Sequence, residues 1–294
     1  MSALEPALYA LGAVLYAAHF VRRQPALYLL GAVLYTAHFV RRQAALGQAA
    51  TGALGAGVVV HTFLLGMATV RESALPLVGA GDALSGFVWL LAIVYLYVEL
   101  TSGERAMGAF IAPFIAVLSL VAVASSQPGP RPAILNSPLF VFHVTFVLFA
   151  YASFAIAAVM GLTYVLLFRE LKGRQPGVFY ARLPSLATLD QMNGRAIVGG
   201  FACLTAGMVI GVIWLLQANR AVPIDPRVDA MSMADPKILI AVGSWLLYAF
   251  QILARTTLGW SGKRTAWLSA VGFVIILVNL LPVAYLVPTS HAFD

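Results

Sequence analysis

Residues 142–168 read FHVTFVLFAYASFAIAAVMGLTYVLLF and contain no Asp, Glu, Lys or Arg. A helix needs about 20 apolar residues to cross the hydrocarbon core of a bilayer, so this stretch reads as a membrane span. The span expected over 139–168 would run about 45 Å, longer than the core, so it must tilt or project. Just upstream, QPGPRPAILNSP at 127–138 holds four prolines and a glycine. Such a segment is stiff and is not expected to be helical. It delivers the span at a fixed position, with His143 in its first turns.

The rest of the chain has the same character. Of 294 residues, 61% are hydrophobic and 10% charged, with a mean hydropathy of +0.91. A soluble domain carries roughly 25% charged residues. Further spans are expected at about 49–70, 82–100, 108–126, 196–217, 237–255 and 265–287, with one or two more before residue 49. The expected fold is therefore all-α: a polytopic transmembrane helical bundle of about eight spans. The first apolar run lacks a basic leader and a small-residue cleavage site, so no cleavable signal peptide is expected.

The formal charge of +7 has a topological cause. If 101–107 faces the cytoplasm, alternating spans put Arg105, Arg169, Lys172, Arg174, Arg182, Arg195, Arg255, Lys263 and Arg264 on that side. Arg22, Arg23, Arg41 and Arg42 join them, making thirteen of the 18 basic residues. Positive residues favour the cytoplasmic face, which orients the bundle. The start of the chain, 71–81, 127–138, 218–236 and the tail 288–294 are then outside. The expected location is a bacterial-type inner (plasma) membrane with the C-terminus outside. No block of basic residues interleaved with aromatics argues for nucleic acid.

Residues 6–24, PALYALGAVLYAAHFVRRQ, recur as 25–43, PALYLLGAVLYTAHFVRRQ, changed only at Ala10/Leu29 and Ala17/Thr36. If both copies crossed, one Arg pair would break the charge rule. The second copy is expected to span and end at Arg41 and Arg42 inside. The first is expected at the interface or as a loosely packed helix, with a break at Pro25. This divides the chain into a duplicated helical segment, 1–43, and a transmembrane domain, 44–294.

Cys203 is the sole cysteine. No CxxC or CxxCH is present, so thiol–disulfide exchange and covalent haem attachment to this chain are excluded. Cys203 reads as a small packing residue. No HExxH, Ser–His–Asp arrangement or phosphate-binding glycine loop is present either.

The histidines carry what chemistry there is. His143, alone, reads as an interfacial ring bonded to a neighbouring carbonyl, and His291, in LVPTSHAFD, as a solvated tail residue. Together they stand far apart in sequence but at one expected depth, as axial ligands on two helices would, and an iron porphyrin suits such a pair. His61, in GAGVVVHTFLLGM, falls near the middle of a span, where an ionisable group is expensive. A second haem, a proton relay and a bond to a neighbouring helix backbone all fit it. Gly52, Gly55 and Gly57 are expected to bring a neighbouring helix close. His19 and His38, beside Arg pairs, read as interfacial anchors. Loop 169–195 reads as a solvated connector. Asp82 reads as an N-cap, Glu99 as the close of a helix, and Asp235-Pro236 as a helix entry.

The second half, about 139–294, resembles the cytochrome c assembly family, membrane haem-handling proteins that include the CcsA, CcmC and HemX types. The stretches that carry it are FHVTFVLFAYASFAIAAVMGLTYVLLF, LDQMNGRAIVGGFACLTAGMVIGVIW, DPKILIAVGSWLLYAFQILARTTLGWSGKRTAWLSAVGF and the closing SHAF. Most specific are Gly207-x-x-x-Gly211-x-x-Trp214 and Gly259-Trp260-x-Gly262-Lys263-Arg264. The resemblance implies that 44–294 handles haem at the outer face. It implies non-covalent haem b with His143 and His291 as axial iron ligands, and His61, Asp235 and Trp214 completing the cofactor-binding set. The implied partners are membrane lipid and apocytochrome c or another assembly-factor membrane protein. The implied role is that of a haem chaperone or assembly factor more than a stand-alone enzyme.

One departure is plain. Synthase branches of that family carry a tryptophan-rich outer loop ending in Asp-Pro, whereas here ANRAVPIDPRVDAMSMADPK (218–237) has no tryptophan. That shifts the resemblance toward the HemX-like branch, an accessory or regulator of haem biosynthesis. Two other readings remain open: a haem-free small-solute or ion transporter component, and a membrane regulator acting through loop 169–195. No inverted repeat or broken helix pair supports the transporter.

Overall fold

The computed structural model describes residues 24–72, 74–77, 79–125, 133–174, 177–220 and 235–280. Residues 6–23 of the first repeat copy and His291 lie outside the described residues. Helices dominate what is described. They are α1 (24–41), α2 (Ala44–Glu72), α3 (Ala80–Ser102), α4 (Gly108–Ser125), α5 (Pro138–Lys172), α6 (Val178–Arg182), α7 (Leu186–Ala218), α8 (Pro236–Thr257) and α9 (Lys263–Leu280). Seven of them, all but α1 and α6, are long and apolar enough to cross a membrane. The chain is an integral membrane protein built as an all-α polytopic bundle. In lipid only a helix satisfies its own backbone polar groups, which is why apolar runs of this length fold this way.

Local chemistry sets the boundaries. α1 and α2 are joined by Arg42 and Gln43 alone, with Arg42 in the left-handed region (φ 55°). α3 stops at Gly103 (φ 73°), whose N–H donates to the Glu99 carbonyl. Only glycine takes that conformation without a Cβ penalty. The proline-rich approach to α5 contains a 3-10 turn, Ala133–Asn136, before Pro138 enters the helix at its first position. Asp235 caps α8, accepting from the Lys237 N–H at 2.8 Å, with Pro236 next.

Three expectations need correction. α7 begins at Leu186 rather than near 196, so much of the expected inner loop is helical; Ser185 caps it by accepting from the Thr188 N–H at 3.2 Å. Gly79, not Asp82, holds the N-cap of α3, and Asp82 sits in the first turn. Of the three glycines near His61, only Gly57 makes a close approach. A Cβ there would lie 2.6 Å from the Tyr28 ring, whereas Gly52 and Gly55 face nothing within 4 Å.

α5 is the central helix, packed most extensively on α7 and then on α9 and α3. Glycines on α7 make the α5 contact close. A Cβ on Gly200 would meet the Phe154 ring at 2.7 Å, and one on Gly207 would meet Val147 at 2.9 Å. Without a hydrophobic drive between helices in lipid, such backbone approach is a principal source of packing energy. Tyr28 and Tyr35 of α1 are fully buried in the same apolar core as α3, α4 and α5.

The ends of the bundle differ. Arg41, Arg42, Arg105, Arg169, Lys172, Arg174, Arg182, Arg255, Lys263 and Arg264 gather at one end, called here the basic end. There the Gly259–Arg264 turn is built on two positive-φ glycines, Gly259 (63°) and Gly262 (61°). The Gly262 N–H donates to Asp190 at 3.0 Å and Arg255 pairs with the same carboxylate at 2.7 Å. The Arg264 guanidinium stands 5.2 Å from the centroid of the Trp260 ring. This family-like motif therefore clamps α7, α8 and α9 together.

Candidate functional site

At the opposite end, His143 occupies the second turn of α5. Its Nδ1 lies 2.7 Å from the Gly207 carbonyl of α7. A carbonyl only accepts, so Nδ1 carries the proton and, in the neutral ring, Nε2 carries the lone pair. Gly211, one turn further along α7, makes room for the imidazole: a Cβ there would lie 2.5 Å from Nδ1 and 2.7 Å from Cε1. Phe140 and Trp214 lie at the same seam, each three residues from His143 or Gly211, their ring centroids 5.3 Å apart at 53°. With Leu135 they form a small apolar cluster separate from the main core. The spacing Gly207-x-x-x-Gly211-x-x-Trp214 thus sets along α7 the carbonyl that accepts from His143, the glycine whose missing Cβ leaves room for its ring, and the indole that meets Phe140.

Asp235 is at the same end and is buried (4% exposed), with its side chain engaged in capping α8. His61 belongs to a different seam, between α1, α2 and α3. Its Nδ1 is 3.0 Å from the Gln24 amide nitrogen and 3.1 Å from the Tyr28 hydroxyl, while Nε2 is 2.9 Å from Ser85 Oγ. Two donors at Nδ1 leave the proton on Nε2, the reverse of the His143 tautomer. The structure thus brings His143 and Trp214 together, places Asp235 at their end, and sets His61 apart. His291 lies outside the described residues.

A site the sequence reading passed over lies toward the basic end. Glu99 is 2% exposed. Tyr35 donates to its Oε2 at 2.5 Å, and Thr51 donates to its Oε1. Arg105 Nε approaches the same carboxylate at 3.5 Å and Thr51 Oγ1 at 3.2 Å. A buried carboxylate is tolerable only with such partners. The available signal was the position of Glu99 one turn after Tyr95, on the apolar side of α3.

Among the described residues no three His, Cys, Asp or Glu side chains converge as a bare metal ion would require. Haem asks for less, namely axial nitrogens and an apolar surround. The donor chemistry of His143 fits that demand, because metal-bound histidines almost always donate their other ring N–H to a carbonyl or carboxylate.

A polytopic bundle with a carbonyl-oriented histidine at one end defines a class of membrane protein, and the comparisons give it a family. The family model described as cytochrome C assembly protein matches residues 80–291. The chain belongs to the cytochrome c assembly protein family, and the match begins well before the stretches near residue 139 that first suggested it. The chain is similar to the cytochrome c biogenesis protein CcsA of Guillardia theta, 27% identical over 255 residues, 80% of this chain and 82% of that one. It is similar also to CcsA of Microcystis aeruginosa, 27% identical across 84% of this chain and 87% of that one. CcsA of Chlamydomonas reinhardtii is 27% identical across 82% and 67% respectively.

Proposed function

We propose that this protein handles haem b for cytochrome c assembly, holding it non-covalently at the end of the bundle opposite the basic residues. The observation that carries the reading is the His143 ring, whose Nδ1–H is fixed by the Gly207 carbonyl so that Nε2 is the donor nitrogen. In this reading His143 and, on the final tail, His291 would hold the haem iron. Phe140 and Trp214 offer an apolar, aromatic wall beside His143. Asp235 fixes the entry of α8 at the same level. Bound haem supplies the iron and the reactive porphyrin edge; the chain supplies position, an apolar surround and a fixed tautomer.

The positive-inside rule puts this end outside the cytoplasm. The chain is then a haem chaperone or assembly factor in a bacterial-type plasma membrane, meeting apocytochrome c or another assembly-factor membrane protein there. A HemX-like accessory role has one observation in its favour, the absence of tryptophan from 218–237. An aromatic platform for presenting the porphyrin to an acceptor is then reduced to Trp214 and Phe140.

The test is absorption spectroscopy of the protein purified in mild detergent from haem-replete cells, for wild type, His143→Ala and His291→Ala. A bis-histidine Soret band in the wild type, lost in both variants and regained with added imidazole, is the expected result. A Soret band unchanged in His143→Ala overturns the assignment.

A further inference from the structure

The basic end holds a cleft of about 170 Å³ that the haem reading does not use. Six of its lining residues matter: His38, Phe39 and Arg42 at the end of α1, Glu104 and Arg105 in the α3–α4 turn, and Arg182 on α6. Three guanidinium groups and an imidazole thus face one carboxylate. Arg105 is held in place by Thr51 and the buried Glu99, at 3.2 and 3.5 Å. A Cβ on Gly47 would lie 3.0 Å from both Arg105 Cδ and His38 Cε1, so the glycine lets both side chains pack against α2. Among the described residues, Arg42 and Arg182 have no carboxylate partner. Two unneutralised arginines beside a third, preset one make an anion site, and the guanidinium fork matches phosphate oxygens.

Size and position narrow the ligand. Pockets for drug-sized ligands and cofactors span about 300–1,000 Å³, so this cleft suits a headgroup. It opens where α1 ends and α4 begins, at the depth of a membrane interface. Beside it α1 presents Val33 and Val40, 58% and 61% exposed, a face for acyl chains. Basic pockets between membrane helices on this side bind anionic lipid headgroups. We propose that the cleft binds the phosphate headgroup of an anionic phospholipid. Arg42, Arg105 and Arg182 donate to the phosphate, Glu104 accepts from a headgroup hydroxyl, and the acyl chains lie along Val33 and Val40.

Native mass spectrometry of the full chain in dodecyl maltoside tests this, with dioleoylphosphatidylglycerol, dioleoylphosphatidylcholine and inorganic phosphate as separate titrants. The expected result is one tightly held phosphatidylglycerol, with phosphatidylcholine at least about 10-fold weaker and phosphate unable to displace the lipid at equal concentration. The double variant Arg42→Gln/Arg182→Gln is expected to weaken phosphatidylglycerol about 30-fold. Arg182→Gln alone, on the exposed short helix α6, is expected to weaken it about 5-fold and covers the case in which the double variant fails to fold. Unchanged lipid affinity in the folded variants, or equal affinity for phosphatidylcholine, overturns the proposal. Displacement by equimolar phosphate overturns it in favour of a soluble phosphate site. None of these readouts depends on haem.

Discussion

Two histidines inside one lipid-soluble bundle are treated in opposite ways. His143 gives its Nδ1 proton to a backbone carbonyl of α7, which a side-chain substitution cannot remove, and the lone pair goes to the distal nitrogen. His61 receives two donors at Nδ1 and gives its Nε2 proton to Ser85. Both satisfy the rule that buried polar groups be paired. The first fixes the tautomer and orientation of a ring set against a close glycine on α7, the feature the haem proposal uses. The second spends every ring nitrogen on joining α1, α2 and α3. The difference teaches that an intramembrane histidine is to be judged by which nitrogen its neighbours occupy, not by depth alone.

The largest effect expected from breaking this contrast is on the spectrum. His143→Ala should abolish the Soret band of the purified protein while leaving its helix content and thermal unfolding close to those of the haem-stripped wild type. His61→Ala should do the reverse. It leaves Gln24, Tyr28 and Ser85 without their common partner, with Gln24 and Tyr28 almost fully buried. Unsatisfied buried groups cost about 1–3 kcal/mol each, and a total near 3 kcal/mol is expected after relaxation. Unfolding in detergent reads the loss, with the Soret maximum unmoved. If the band shifts or halves instead, His61 ligates a second haem and the contrast fails.

Gly211→Ala sharpens the comparison from the other helix. Its Cβ enters the space of the His143 ring, so the imidazole must swing and its bond to Gly207 is strained or lost. Disturbing such an orienting bond typically costs 10–100-fold in metal affinity, and that drop in haem affinity is expected by titration of the haem-stripped protein. The packing penalty should stay near 1–3 kcal/mol. The same substitution at Gly55, which faces open space, is the control and should change neither property.

How much of this was legible in the sequence varies with the kind of interaction. Helix ends marked by Pro138 or Asp235-Pro236 could be read directly, because those residues punctuate a helix whatever surrounds it. The start of α7 could not. LATLDQMNGR looks like a polar loop, yet Asp190 pairs with Arg255 and Asn193 donates to Ser269 at 2.9 Å and to the Ala157 carbonyl at 2.7 Å. Partners more than thirty residues away turn these polar side chains into interior ones. Glu99 escaped for the same reason, since Tyr35 and Thr51 reach it from other helices. His143 as a candidate was legible from its position at the head of a span. Its tautomer was not, because that depends on a carbonyl on α7.

The smallest effect belongs to Ser85→Ala, and it probes the contrast most selectively. The substitution removes the acceptor at His61 Nε2 and leaves both donors at Nδ1. Helix-to-helix hydrogen bonds in membranes average about 0.6 kcal/mol, because the unfolded chain in lipid also finds partners. A loss of that order in unfolding free energy is expected, well below that of His61→Ala. The two values differ because alanine at 85 deletes one bond at the edge of the cluster, whereas alanine at 61 removes the group on which three bonds converge. If Ser85→Ala matches His61→Ala, the Nε2 bond alone ties the seam together and the Gln24 and Tyr28 donors contribute nothing. Joining α1 to the bundle would then rest on its apolar packing, and the polar half of the comparison would shrink to a single contact.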